Sequence, residues 1–202
     1  MPVFKKRWTS AGDPMAVIKK KTLWSGKFLR AVLIEYTVRC NSSNCFEKRN
    51  WEAFERTNCD GIIGIVPVTD AGEVILIRQF RPPVNGYVVE LPAGLVDPGE
   101  SFEDAVRREL IEETGYEAAE VQFLTEGPMS SGASAEILTV YAATGLKHVG
   151  IGTRDETEDI EVILTPLGRV DEKLEELRRA GDQVDLKVYG MIGLARERML
   201  NE

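Results

Sequence analysis

Residues 94–115 read GLVDPGESFEDAVRRELIEETG, and the fold turns on this stretch. Ser101 can cap a helix, Asp104 stands at the capping-box position, and Gly115 supplies a C-terminal stop, so the spacing predicts a helix over 101–114. Phe102, Ala105, Val106 and Leu110 fall at i, i+3, i+4 and i+8, one apolar stripe of a 3.6-residue period that should face a sheet. The other side carries Arg108, Glu109, Glu112 and Glu113, a spacing that gathers three glutamates on one patch. Two carboxylates about 5.5 Å apart repel by about 3 kcal/mol at an effective dielectric of about 20. A hard, oxygen-seeking cation removes that repulsion. Mg²⁺ suits best, because it takes one or two carboxylates, keeps several waters and accepts phosphate oxygens. A solvated acidic helix face is the competing reading.

Outward from the helix, 61–68 and 73–80 are β-branched runs joined by Thr69-Asp70-Ala71-Gly72, read as a hairpin with turn residues at its tip. Pro82 and Pro83 must leave the ladder, since proline has no N–H to give it. Upstream, 27–38 and 46–57 flank the polar Asn41-Ser42-Ser43-Asn44 and read as another hairpin. Residues 1–22, with Lys5-Lys6-Arg7 and Lys19-Lys20-Lys21, show no sustained period and read as a loosely held arm whose basic clusters are solvated or form a nuclear address. Downstream, strands are expected at 120–125, 137–142 and 160–164 and helices near 169–180 and 186–200. Strands on both sides of a central helix argue for a mixed α/β layer fold.

The 202 residues suit one sizeable core with a small annex. Lys+Arg 25 against Asp+Glu 33 gives a net charge of -8, so the average surface repels phosphate, and broad nucleic-acid binding is disfavoured. A phosphorylated substrate would need local arginines or a divalent cation. No apolar run approaches the ~18 residues of a membrane span. Cys40, Cys45 and Cys59 make no dense framework and follow no signal-like segment, so loop or buried thiols in a reducing cytoplasm are expected. A zinc site on Cys40, Cys45 and the single histidine, His148, would need a carboxylate as well and is disfavoured.

Gly94, Glu100, Arg108, Glu109, Leu110, Glu112, Glu113 and Gly115 stand at the offsets of a known signature, and the chain resembles the Nudix hydrolases. Leaving out the aliphatic position of Leu110, seven specified positions at background frequencies of about 7% would coincide on the order of once per million such chains, which excludes accident. Tyr116 departs from the pattern, which usually has an aliphatic residue there. Gln79-Phe80-Arg81-Pro82-Pro83, the run 87–94, and Trp51-Glu52 ahead of Arg56 resemble the ADP-sugar diphosphatase (ADP-ribose pyrophosphatase) branch. The resemblance implies a Nudix α/β/α sandwich with mixed sheets, at 59–202, preceded by an N-terminal antiparallel β region, at 1–58, that serves a homodimer and part of the nucleotide site.

The resemblance also assigns roles. The Ala93 carbonyl, Glu109 and Glu113 would hold Mg²⁺, with Mn²⁺ as substitute and Glu112 as an additional ligand. Arg108 would orient the glutamates and Glu100 would brace the loop. A general base is expected in the acidic loop Arg154-Asp155-Glu156-Thr157-Glu158-Asp159, with Glu156 and Glu158 as candidates and Glu158 preferred as nearer the following strand. A solvated loop is the alternative. Trp51 and Phe28 would clamp an adenine, Glu52 would accept from its amine, Arg56 and Arg81 would hold the diphosphate, and Leu95 and Met129 complete the substrate contacts. Ser130-Ser131-Gly132 stands where the branch has Asp-Pro-Gly, and Glu136 resembles an acidic position that meets substrate or metal. The expected reaction is hydrolysis of ADP-ribose to AMP and ribose 5-phosphate. The alternatives are GDP-mannose, an oxidised nucleoside diphosphate, or a silent nucleotide sensor, although sensors usually lose a box glutamate.

Overall fold

The computed structural model describes residues 15–40, 45–150 and 159–199, and they fall into two units, 1–58 with 128–136, and 59–127 with 137–202. In the first unit β1 (Val17–Ser25), β2 (Leu29–Arg39) and β3 (Phe46–Arg56) form an antiparallel sheet in that order. The stretch expected as a loose arm is therefore a strand from Val17 onward. Its lysines are exposed on an edge, where charge discourages further pairing. The β2–β3 hairpin has the register Leu29 to Arg56 through Arg39 to Phe46, and beyond that rung Cys40 N–H donates to the Cys45 carbonyl. Cys40 and Cys45 are joined by a disulfide, with Cα atoms 5.1 Å apart. This corrects the expectation of loop thiols: the hairpin register brings the two positions opposite each other. A reducing compartment would tend to keep such a pair open.

The second unit contains two four-stranded sheets. One has the order β7 (Ala93–Val96), β4 (Gly61–Pro67), β9 (Ile137–His148), β8 (Tyr116–Pro128), with β4 and β9 parallel. The other has the order β10 (Ile160–Pro166), β5 (Glu73–Arg81), β6 (Gly86–Glu90), β11 (Gln183–Val184). The anticipated hairpin over 61–80 is not a ladder. The turn at Thr69–Gly72 sends β4 and β5 into different sheets, and only a Val68–Val74 bridge links their ends. Pro82–Val84 forms a 3-10 turn, after which Gly86 resumes pairing opposite Arg81.

The helix α1 (Phe102–Thr114) begins at Ser101, whose hydroxyl accepts from the Asp104 N–H at 3.1 Å. It ends at Gly115, in the left-handed region at φ 79°, whose N–H returns to the Ile111 carbonyl. Its stripe of Ala105, Val106 and Leu110 is fully buried against Ile63 and Ile65 of β4 and Val96 of β7. Because side chains alternate along a strand, Val66 and Val68 join the opposite core instead. There they meet Val74 and Leu76 of β5, Val170 and Leu174 of α2 (Val170–Arg179), and Val188 and Ile192 of α3 (Lys187–Met199). The first core fixes α1 to β7, and with it the acidic face of the helix beside the Ala93–Gly94 backbone.

Candidate active site

Arg108 is the hub of the acidic face. Its Nε and Nη2 donate to the two oxygens of Glu100, each at 2.9 Å, a bidentate fork. Its Nη1 donates to Glu109 Oε1 at 2.8 Å and to Glu112 Oε2 at 3.2 Å, and its Nη2 also donates to the Leu95 carbonyl at 2.9 Å. One guanidinium thus collects three carboxylates and a strand carbonyl. The Arg108 hydrogen bonds hold the Glu100 carboxyl below its usual range, burial opposing and the Asp97 N–H assisting. The Arg108 guanidinium is raised in turn, first by Glu100 and then by Glu109, against burial.

Glu113, on the next turn, is buried, and its Oε2 accepts from the Ala93 N–H at 3.0 Å. Gly94 lies against Glu109 so closely that a Cβ built there would land on the Glu109 carboxylate. Glycine at this position leaves the Glu109 carboxylate the place in which Arg108 holds it. The expected ligands Ala93, Glu109, Glu112 and Glu113 are brought to one edge where β7 meets α1.

This donor set fits a hard divalent cation such as Mg²⁺. All donors are hard oxygens on two successive turns of α1 and the facing strand, and the helix spacing makes their mutual repulsion worth relieving. No three acidic, histidine or cysteine groups converge into a ready-made cage among the described residues. Mg²⁺ needs none, because it completes its shell with water and substrate phosphate.

The residues expected to contact substrate divide by unit. In the second unit Arg81 donates from Nε and Nη2 to Glu90 Oε2, at 2.9 and 2.6 Å, and Gln79 Nε2 reaches the same oxygen at 3.0 Å. Arg81 is therefore held by a carboxylate that the sequence reading missed. Its signal was an acid at the end of β6, on the face shared by Gln79 and Arg81 of β5. Leu95 contributes its carbonyl to Arg108.

In the first unit the register sets Leu29 opposite Arg56 and Ile34 opposite Trp51. Phe28 thus lies about six residues, roughly 20 Å, along the hairpin from Trp51, too far for the two rings to enclose one base within this unit. Trp51 instead meets Tyr36 edge-on at 6.3 Å and donates its Nε1–H to the Gly132 carbonyl at 3.0 Å, while Phe28 has Lys27 over its ring. Glu52 is exposed on the face of β3 opposite Trp51. Arg56 Nε donates to Glu136 Oε1 at 2.7 Å, and the Met129 N–H donates to the Glu136 carbonyl, so Arg56, Glu136 and Met129 are gathered. Glu156 and Glu158 lie outside the described residues.

A NUDIX domain model matches residues 61–184. The ADP-ribose pyrophosphatase of Bacillus subtilis is 38% identical over 104 residues, which span 51% of this chain and 56% of that protein. The GDP-mannose pyrophosphatase of Citrobacter koseri is 34% identical over 161 residues, 76% of this chain and 82% of that protein. A solved structure described as an ADP compounds hydrolase superposes with a TM-score of 0.76 at 24% identity, covering 96% of this chain and 98% of the other, a likeness of fold. The matched segment contains β4 through β11 with the Arg108 cluster at its centre, and the chain belongs to the Nudix hydrolase family.

Proposed function

We propose that the chain hydrolyses the diphosphate bond of ADP-ribose, water adding across the phosphoanhydride to give AMP and ribose 5-phosphate. The single observation that carries this is the Arg108 cluster: three carboxylates on one guanidinium, beside a buried Glu113 anchored on the Ala93 N–H. Glu109, Glu113 and the Ala93 carbonyl would hold Mg²⁺ or Mn²⁺, with Glu112 reaching it through water. Bound there, the ion would neutralise the diphosphate and lower the pKa of a bound water. The chain's own groups prepare that site. Arg108 orients Glu109 and Glu112, and the Ala93 N–H fixes one Glu113 oxygen. Trp51, whose indole N–H is already engaged by Gly132, would offer its face to the adenine. Arg56 and Arg81 would meet the diphosphate. Glu156 or Glu158 would accept the proton of the attacking water.

Glu113→Gln assayed beside wild type at saturating Mg²⁺ tests the reading. Wild type should release AMP and the variant should be slower by orders of magnitude, and equal turnover by both would refute it. GDP-mannose is the second reading, favoured by the relative that matches 76% of this chain and by Ser130-Ser131-Gly132 in the substrate loop. Ranking kcat/KM across a panel of nucleotide sugars separates the two. A homodimer is the assembly we infer. The three-stranded sheet leaves Val17, Ile18, Leu23 and Trp24 about half exposed, an apolar content that invites burial. Sedimentation of a monomer at micromolar concentration would exclude it.

A further inference from the structure

We infer that Glu136 is the positioning residue for Arg56, presenting its guanidinium edge-on to the diphosphate of a nucleotide sugar. This rests on the reading of Arg56 as a diphosphate contact and adds what sets its geometry. Both Glu136 oxygens have protein partners: Oε1 accepts from Arg56 Nε at 2.7 Å, and Oε2 accepts from the Ser134 hydroxyl at 3.1 Å. The Glu136 N–H returns to that hydroxyl at 3.4 Å, and its carbonyl accepts from the Met129 N–H. A residue tied at both carboxylate oxygens and at both backbone groups does not wander.

The segment carrying it is fixed as well. Phe54 exchanges backbone hydrogen bonds with Ala133 and Ala135, and Phe54 and Ser134 form a parallel bridge, so 132–136 runs beside β3. In that register Gly132 meets Trp51 and Glu136 meets Arg56. Among the described residues only the Nε of Arg56 has a partner. Guanidinium carries five N–H donors in a rigid fork, so with Nε on Glu136 the edge formed by the two Nη groups is left to other acceptors. That edge matches two oxygens of a phosphate bidentately. Glu136 Oε1 lies on the Nε side, where it orients the fork without occupying the Nη edge. The Glu136 side chain is only 15% exposed while that of Arg56 is 38% exposed, which agrees with a shielded holder and a presented cation.

The test is a set of variants read by steady-state kinetics and by calorimetry with ADP and with adenosine at one fixed Mg²⁺ concentration. Glu136→Ala should raise KM for the nucleotide sugar, and Kd for ADP, by roughly three- to tenfold, the worth of one pre-ordered long side chain. The change in kcat should be smaller, and adenosine, which has no phosphate, should bind as before. Glu136→Gln keeps an acceptor for Nε and should restore most of the affinity. In an Arg56→Ala background Glu136→Ala should add nothing to Kd for ADP. A lowered KM in Glu136→Ala would mean that the carboxylate competes with phosphate, and would overturn the inference. So would an equal loss of adenosine binding, or an undiminished effect without Arg56. If the wild type binds ADP yet cleaves no nucleotide sugar, the proposed reaction fails while the ADP measurements still judge Glu136. Wild type that binds no ADP overturns both.

Discussion

Gly94→Ala isolates the geometry of the acidic cluster from its charge. The methyl group would land on the Glu109 carboxylate, which Arg108 Nη1 holds at 2.8 Å, so the carboxylate must leave that hydrogen bond or the β7 backbone must lift. Losing a hydrogen bond to a charged group costs about 1.5–3 kcal/mol. Replacing glycine at an unstrained position returns about 0.4–1 kcal/mol by restricting the unfolded chain. The net cost of about 1–2 kcal/mol should lower Tm by roughly 2–8 °C in a protein of this size. Catalysis should suffer far more, because a displacement of about 1 Å at a reacting centre costs on the order of 100-fold. The assay is kcat/KM for ADP-ribose across a Mg²⁺ titration, with Tm followed by circular dichroism. Gly127→Ala is the control, since a Cβ at Gly127 meets nothing within 4 Å. A Gly94→Ala protein with activity within about twofold of wild type and an unchanged Mg²⁺ midpoint would refute the claim that this glycine exists to make room for Glu109.

The depressed Glu100 carboxyl sets the sign of an acid effect. Its stabilisation is present above the unfolded glutamate value of about 4.3 and is lost as pH falls through the lower folded value. Tm of wild type should therefore drop below about pH 4, and Arg108→Met, tested by thermal melts from pH 3 to 7, should flatten that slope. Burial pushes the Tyr141 phenol up to about 12, with Glu103 and Glu126 adding. That contribution is present below the unfolded tyrosine value of about 10 and lost as pH rises through about 12; Tyr141→Phe should hold its Tm better than wild type above pH 10. The disulfide closes a loop of six residues, so reduction should cost about 2 kcal/mol on the chain-entropy model and lower Tm by several degrees. A melt unchanged by dithiothreitol, with alkylation confirming open thiols, would contradict it.

The readable parts of the sequence were those where local chemistry and long-range packing demand the same thing. Helix α1 was legible to within a residue because Ser101, Asp104 and Gly115 act on the backbone beside them and the stripe from Phe102 to Leu110 needs only some sheet to face. The glutamates were legible because helix periodicity alone puts Glu109, Glu112 and Glu113 together. The 61–80 hairpin was misread for the converse reason. Its turn at Thr69–Gly72 is genuine, but Ile63–Pro67 and Val74–Ile77 are buried on both faces, and such apolar segments can pair with either sheet. The N-terminal strand was missed because all nine residues of β1 are exposed, which erases the alternation that marks a half-buried strand.

The partners of the site arginines lie in a third category. Arg81 with Glu90 and Arg56 with Glu136 are separated by 9 and 80 residues, and neither pair has a local spacing rule. On the proposed reading, what selects them is the composition of the surface that would meet a diphosphate. A diphosphate calls for guanidinium groups on a chain of net charge -8, and a guanidinium left unpaired beside so many acids would swing among them. A carboxylate fixes the plane of the fork at both: Glu136 takes only the Nε of Arg56, while Glu90 takes Nε and Nη2 of Arg81. At Arg108 the same pairing is carried to completion: Glu100, Glu109, Glu112 and the Leu95 carbonyl engage every nitrogen. The three arginines therefore divide by how many donors the protein itself consumes. The saturated one gathers carboxylates, and the two partly engaged ones keep donors that the proposed diphosphate contact would use.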